Sequence, residues 1–267
     1  IEPITSMKNA FSVAGQNVVI TGGNRGLGRG IAQAFAECGA NVAILCRNEA
    51  SGNEAAEQLR LLGSRALAVK CDVGDFDSVL RAKEVVAREF DHIDTLVNNA
   101  GIDGKHGVFD DARLEEFKRV MNVNLDGVAA MIQVFGQWMM DEGRGGEIIN
   151  ISSIGGQAIG DPRAHPMPSY NASKAALDHL TRHLSIVMGD YGIRVNAIAP
   201  GPTHSDLDAG LPPSITQFID ETMPMHRFGE PLEIGALAVF LASPAAAQIT
   251  GVVANHDGGT MCVGLTF

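Results

Sequence analysis

Apolar residues along this chain follow two rhythms. Seven short runs are apolar at nearly every position: Asn17–Thr21, Asn41–Cys46, Ala66–Lys70, Thr95–Asn98, Glu147–Ser152, Arg194–Ala199 and Val252–Asn255. Between them lie longer stretches with helical spacing, among them Gly28–Cys38, Glu49–Leu62, Phe76–Phe90 and Leu114–Asp141. A strand apolar on successive residues is covered on both faces, and helices between such strands carry the chain back to start the next one in parallel. The pattern predicts an α/β fold: a doubly wound parallel sheet of about seven strands with helices on both faces. No linker, repeat or low-complexity stretch interrupts the alternation, so residues 11–267 read as a single domain and residues 1–10 as an extension expected to be flexible.

One segment changes that picture only on first sight. Residues 234–254 carry no charge, as a membrane span would. Pro244, Gln248 and Thr250 would leave polar groups unpaired in lipid, so a core helix over 233–242, a turn and a short strand over 249–254 explain the stretch better. The first residues lack the basic-then-apolar order of a secretory signal, and a cytoplasmic protein is expected. With 20 basic against 31 acidic residues the net charge is −11, which repels nucleic acid and anionic membranes. Cys38, Cys46, Cys71 and Cys262 form no CxxC pair and read as reduced packing residues.

In a doubly wound sheet, ligands bind beyond the carboxyl ends of the strands, and the unusual residues of this chain follow strands. Thr21-Gly22-Gly23-Asn24-Arg25-Gly26-Leu27-Gly28 follows the first strand and opens a helix. Such glycines let backbone N–H groups approach a pyrophosphate at a helix N-terminus. Tyr170 and Lys174 are one helical turn apart and share a face. A free phenol with a pKa near ~10 is a poor acid–base group at neutral pH, and a neighbouring ammonium favours the phenolate. Two serines, Ser152 and Ser153, end the fifth strand, and either hydroxyl can hold a substrate oxygen. Asn98-Asn99-Ala100-Gly101 follows the fourth strand. Asn124 lies inside a long helix, where asparagine is a mediocre former, so a side-chain role is expected to outweigh propensity.

Taken in order, these segments closely resemble the short-chain dehydrogenase/reductase family over residues 11 to 262. They are the Thr-Gly-x-x-x-Gly-x-Gly loop, Asp72, Asn98-Asn99-Ala100-Gly101, Asn124, the serine pair, Tyr170-x-x-x-Lys174, Pro200-Gly201 and Asp257-Gly258-Gly259. The resemblance implies a Rossmann-type fold and an enzyme that moves a hydride between a nicotinamide dinucleotide and a carbonyl or secondary alcohol. It makes Tyr170 the proton-exchanging acid and base, with Ser153, aligned on the second serine, steadying the substrate oxygen. Lys174 would lower the Tyr170 pKa and hold the nicotinamide ribose, and Asn124 would position a relay water. The cofactor would lie on Gly22, Asn24, Arg25, Gly26, Leu27 and Gly28, with Asp72 and Val73 at the adenine and Asn98, Ala100 and Gly101 along the channel. Pro200, Gly201 and Thr203 would meet its nicotinamide end. The stretch from Ser153 to Tyr170 is longer than usual for the family, and the hydroxyl expected after Pro200-Gly201 falls on Ser205.

Cofactor choice follows from charge. Where NAD-specific relatives place an acid after the second strand, this chain has Cys46, followed by Arg47 and Asn48, with Arg25 approaching from the glycine loop. Two guanidiniums suit the 2′-phosphate, so NADP(H) is expected in preference to NAD(H), with Cys46→Asp plus Arg47→Ala reversing the order. His165 and His204 fall in loops expected to frame a substrate. His179 and His183, four apart, have no third ligand in sight, so no metal is expected. Val128, Met131, Ile132, Val134, Phe135, Trp138 and Met139 give one helix a broad apolar surface, read as a subunit contact in a dimer or a homotetramer. The leading expectation is a carbonyl reductase, similar to sorbose-reductase-like and gluconate-dehydrogenase-like members, acting on a sugar, ketose or polyol. A hydroxysteroid dehydrogenase comes next, then a ketoacyl reductase. A non-catalytic dinucleotide-binding sensor is disfavoured by the complete Asn–Ser–Tyr–Lys set.

Overall fold

The computed structural model describes residues 6–159, 167–204 and 213–263. The seven apolar runs form one parallel sheet. Its strands are β1 (Asn17–Thr21), β2 (Asn41–Cys46), β3 (Ala66–Lys70), β4 (Thr95–Asn98), β5 (Gly146–Ile151), β6 (Ile193–Pro200) and β7 (Val253–His256), in the order β3-β2-β1-β4-β5-β6-β7. The order reverses between β1 and β4, which opens a crevice above their carboxyl ends. The strands match the expected runs to within one residue at each end, β6 extending by one at both.

Each sheet face carries its own apolar layer. One layer gathers Val18, Ile20 and Ile44 with residues of α1 (Gly26–Glu37), α2 (Glu49–Leu61) and α9 (Pro231–Ala242), the helix that follows α8 (Pro213–Glu221). The other gathers Val19, Leu45 and Leu96 with α3 (Phe76–Glu89), the long helix after residue 115 and α7 (Pro168–Gly189). That two-sided cover is why the strands read as unbroken apolar runs. The uncharged stretch after residue 234 resolves into α9, a 3-10 turn (Pro244–Ala246) and β7. Helix α9 is apolar nearly all round because it lies between the sheet and α1, and Gly235 lets the two helices close on each other: a Cβ there would sit 2.6 Å from the Ala34 Cβ. No helix among the described residues is long and apolar enough to cross a membrane.

The long helix runs as α4 (Glu115–Met121), a π stretch (Asn122–Asp126), α5 (Gly127–Met131), a second π stretch (Ile132–Gly136) and α6 (Gln137–Glu142). Its apolar stripe corrects the reading of a subunit contact. Val128, Met131, Ile132, Phe135, Trp138 and Met139 are all buried within the chain, packed on the layer beneath β1 and β4. The stripe is broad because this helix faces the sheet and α3 together, and only Val134 remains partly open.

Of the expected N-terminal extension, residues 1–5 lie outside the described residues, as do 264–267 at the other end. Ala10 is buried and its carbonyl accepts from the Ala245 amide at 2.7 Å, while Phe11 packs on Phe240 of α9.

Candidate active site

The glycine loop between β1 and α1 is shaped by contacts that only glycine permits. Gly22 has φ +67, and a Cβ there would press on the Asn99 side chain at 2.9 Å. Gly26 has φ +52, and a Cβ on Gly28 would collide with the Gly22 carbonyl. Thr21 and Asn99 brace the loop from below. The Thr21 hydroxyl accepts from the Asn99 and Ala100 amides, both at 2.9 Å, and Asn99 Nδ2 donates to the Thr21 carbonyl at 2.9 Å. At the start of α1, Arg25 is extended and supplies no side-chain cap. The first amides of α1 are thus presented with the positive end of the helix, the arrangement a pyrophosphate needs.

The residues expected to meet the adenosine end lie above β2 and β3. Asn24 Nδ2 donates to the Ser51 hydroxyl at 2.9 Å, and Asn48 caps α2 by accepting from the Ser51 amide at 3.1 Å. This chain of bonds ties the glycine loop to the end of β2 and leaves Arg25 and Arg47 exposed on either side. Glu49 lies 3.7 Å from Lys70. Asp72 is held by the Gly74 amide at 3.0 Å, and Val73 packs against Gly127. Leu27 leans on the apolar layer under α1. Cys46 points inward, its Sγ donating to the Asn48 carbonyl at 3.2 Å and pressing on α2 at Gly52.

Ser153, Tyr170 and Lys174 come together where β5 meets α7. The Ser153 hydroxyl sits beside the Tyr170 phenol and favours its ionised form. Lys174 Nζ donates to the Ile151 carbonyl at 2.7 Å and lies 5.5 Å from the centre of the Tyr170 ring. The two serines part company. Ser152 is buried near Asp178, whose ionised form it favours, and donates to the Lys174 carbonyl at 3.4 Å, which leaves Ser153 beside the phenol. Burial raises the Tyr170 pKa, with Ser153 opposing and Asp103 adding to the rise. Burial likewise pushes Lys174 down to about 8 against the pull of Asp178. The expected lowering of Tyr170 by Lys174 is therefore not what governs here: desolvation is the largest influence and raises the phenol.

Several expected residues sit elsewhere. The Asn98 side chain is buried under the crevice, donating to Asn150 Oδ1 at 2.9 Å, with its own Oδ1 unpartnered. Its neighbour Asn99 does the bracing instead. Asn124 lies in the first π stretch, with Oδ1 accepting from the Ile102 amide and Nδ2 donating to the Ile102 carbonyl, both at 2.8 Å. Its side chain clamps the loop after β4, which passes Ala100 and Gly101 over Lys174. Pro200 ends β6, and Gly201 packs so closely on Asp257 that the Asp257-Gly258-Gly259 turn closes the fold there. Thr203 donates to the Gly201 carbonyl at 3.0 Å, and His204 stacks on Phe228 with ring centres 4.6 Å apart. His165 and Ser205 lie outside the described residues. His179 and His183 are exposed on the outer side of α7, and no described group of three His, Cys, Asp or Glu side chains is placed to hold a metal.

Asp178 and Asp103 were not singled out from the sequence. The spacing of Asp178, four residues beyond Lys174 on one helical face, was the available signal. For Asp103 there was none beyond its place after a strand.

Known proteins resemble this chain over most of its length. Residues 22–261 match a family model described as enoyl-(acyl carrier protein) reductase. Galactitol 2-dehydrogenase of Rhizobium johnstonii is 36% identical over 264 residues, covering 96% of this chain and 99% of that protein. The 7α-hydroxysteroid dehydrogenase of Escherichia coli is 32% identical over 246 residues, 92% of this chain and 94% of that one. The crystal structure of a short-chain type dehydrogenase/reductase from Mycobacterium marinum superposes with a TM-score of 0.90 at 34% identity, covering 96% of this chain and all of the other.

Proposed function

The chain belongs to the short-chain dehydrogenase/reductase family, and we propose that it is an NADP(H)-dependent oxidoreductase acting on a secondary alcohol or the matching carbonyl. The observation that carries this reading is Lys174 Nζ 5.5 Å from the centre of the Tyr170 ring, with Ser153 beside the phenol and the loop after β4 passing over Lys174. Gly22, Asn24, Arg25, Gly26, Leu27 and Gly28 would hold the pyrophosphate, Arg47 and Asn48 the adenosine phosphate, and Asp72 and Val73 the adenine. Ala100, Gly101, Pro200, Gly201 and Thr203 would flank the nicotinamide half, and Lys174 would donate to its ribose.

Bound there, the nicotinamide supplies the carbon that exchanges a hydride and, when oxidised, a positive charge. Ser153 donates a hydrogen bond to the substrate oxygen and orients it toward Tyr170. In the alcohol-to-carbonyl direction, Tyr170 takes the hydroxyl proton as the carbon gives up its C–H bond with both electrons. In the reverse direction Tyr170 returns a proton to the forming alkoxide. Lys174 and the added positive charge both favour the phenolate that burial alone opposes. Asn124 keeps the loop after β4 in place and completes a relay that passes protons through water.

A polyol, sugar or ketose is the substrate class we favour, in line with the galactitol dehydrogenase likeness; a hydroxysteroid is second. Self-association as a dimer or homotetramer is part of the same reading, and light scattering that returns 28.1 kDa would overturn it. The test of the chemistry is Tyr170→Phe, which keeps the ring and removes the proton. Turnover of a hexitol with NADP is expected to fall by ~100-fold or more with NADPH affinity retained. A variant with near-normal turnover would remove Tyr170 from the mechanism.

A further inference from the structure

The loop after β4 brings a carboxylate to the catalytic phenol, and it does so on a rigid base. Gly101 passes over the site: a Cβ there would lie 3.7 Å from Lys174 Nζ. Ile102 is gripped at both its amide and its carbonyl by the buried Asn124. Gly104 is buried, with no room for a Cβ against the hydroxyl of Ser169, the residue before Tyr170. Beyond it, the Lys105 and His106 amides both donate to Glu116, at 2.7 and 2.8 Å. Between these clamps Asp103 is left exposed, flanked by residues packed on Lys174 and Ser169, and its charge adds to the forces that oppose ionisation of the Tyr170 phenol. Holding an acid there works against the phenolate that the chemistry needs, so a compensating use in substrate contact is the physical reason to look for one.

Resting on the oxidoreductase reading, we propose that Asp103 is a specificity-determining residue that accepts a hydrogen bond from a hydroxyl on the carbon next to the reacting one. An ionised carboxylate only accepts, so it pairs with a vicinal hydroxyl and meets a vicinal carboxylate or phosphate with like-charge repulsion. The substrate class this selects is a neutral polyhydroxylated alcohol or ketone, against 2-hydroxy acids and their keto forms. Lys105 and His106 follow on the same loop without cancelling this, since both are exposed and their amides face Glu116, which lies 4.0 Å from His106 Nε2.

The experiment compares three alcohols with NADP in the wild type, Asp103→Asn and Asp103→Ala: galactitol, cyclohexanol and lactate. Cyclohexanol uses the same phenol but has no neighbouring hydroxyl, so it corrects for any change in Tyr170. In Asp103→Ala, kcat/KM for galactitol is expected to fall about tenfold relative to cyclohexanol. Asp103→Asn, which keeps an acceptor and loses the charge, should retain most galactitol turnover and raise lactate relative to galactitol by about tenfold. Galactitol and cyclohexanol falling together would overturn the proposal, as would a wild type that oxidises cyclohexanol and lactate but not galactitol. A wild type inactive on all three and on their ketones would overturn the oxidoreductase reading itself.

Discussion

The cofactor preference can be worked from the two exposed arginines. Arg25 lies in the glycine loop just before α1 and Arg47 follows β2, on strands that pair Thr21 with Leu45. The bonds from Asn24 through Ser51 to Asn48 hold their backbones in one place. A 2′-phosphate carries close to two negative charges, and two unit charges 4 Å apart in water interact by ~1 kcal/mol. Each guanidinium is then worth about 2 kcal/mol to the phosphate and little to a ribose hydroxyl, a factor of roughly 30. Since both side chains are exposed, salt reduces the figure, and a preference for NADPH over NADH of at least ~10-fold is expected at moderate ionic strength. Arg47→Ala should lower kcat/KM for NADPH by about 30-fold and change that for NADH by less than about threefold, and Arg25→Ala should act in the same direction. The Cys46→Asp swap suggested by the sequence is expected to add less than hoped. Its carboxylate would face the Asn48 carbonyl in a space where the Cys46 sulfur already lies 2.6 Å from where a Cβ on Gly52 would be. Steady-state kinetics with both cofactors at two salt concentrations decides the matter. Equal kcat/KM for NADPH and NADH in the wild type, or an Arg47→Ala loss shared by both, would show that the arginines do not read the phosphate.

Two further outcomes separate neighbouring residues. Ser153→Ala should reduce turnover by ~100-fold with little change in melting temperature, whereas Ser152→Ala should cost stability by removing the buried hydroxyl that donates to the Lys174 carbonyl and favours the Asp178 carboxylate, while sparing most of the activity; the opposite assignment would follow from the reverse pattern in paired kinetic and melting assays. Lys174 is buried and its folded pKa of about 8 lies below the 10.5 of the unfolded chain, so between those values the unfolded state binds more protons and stability rises with pH. Lys174→Met should therefore be the more stable protein at pH 7, by roughly 3 kcal/mol, with the gap closing as pH climbs toward 10; a gap in melting temperature that ignores pH would refute the burial account.

Much of this protein is written locally. The alternation of apolar runs with helical stretches places the seven strands, because the side-chain periods of strand and helix are properties of a few consecutive residues. The glycine loop and the Tyr170–Lys174 pair are legible for the same reason, since a φ of +67 at Gly22 and one helical turn between two side chains are short-range facts. What the chain order could not decide is which polar group faces which space. Ser152 and Ser153 are adjacent and alike, and a strand sends neighbours to opposite sides; the position of Asp178, 26 residues later by numbering, claims the first and leaves the second to Tyr170. Asn98 and Asn99 divide in the same way, one into the core against Asn150 and the other up to the glycine loop. The apolar stripe from Val128 to Met139 has the width of a subunit contact, yet the sheet and α3 of the same chain use it up. Burial depends on what else arrives from distant positions, and a helix carries the same residues whether its cover comes from its own chain or from another.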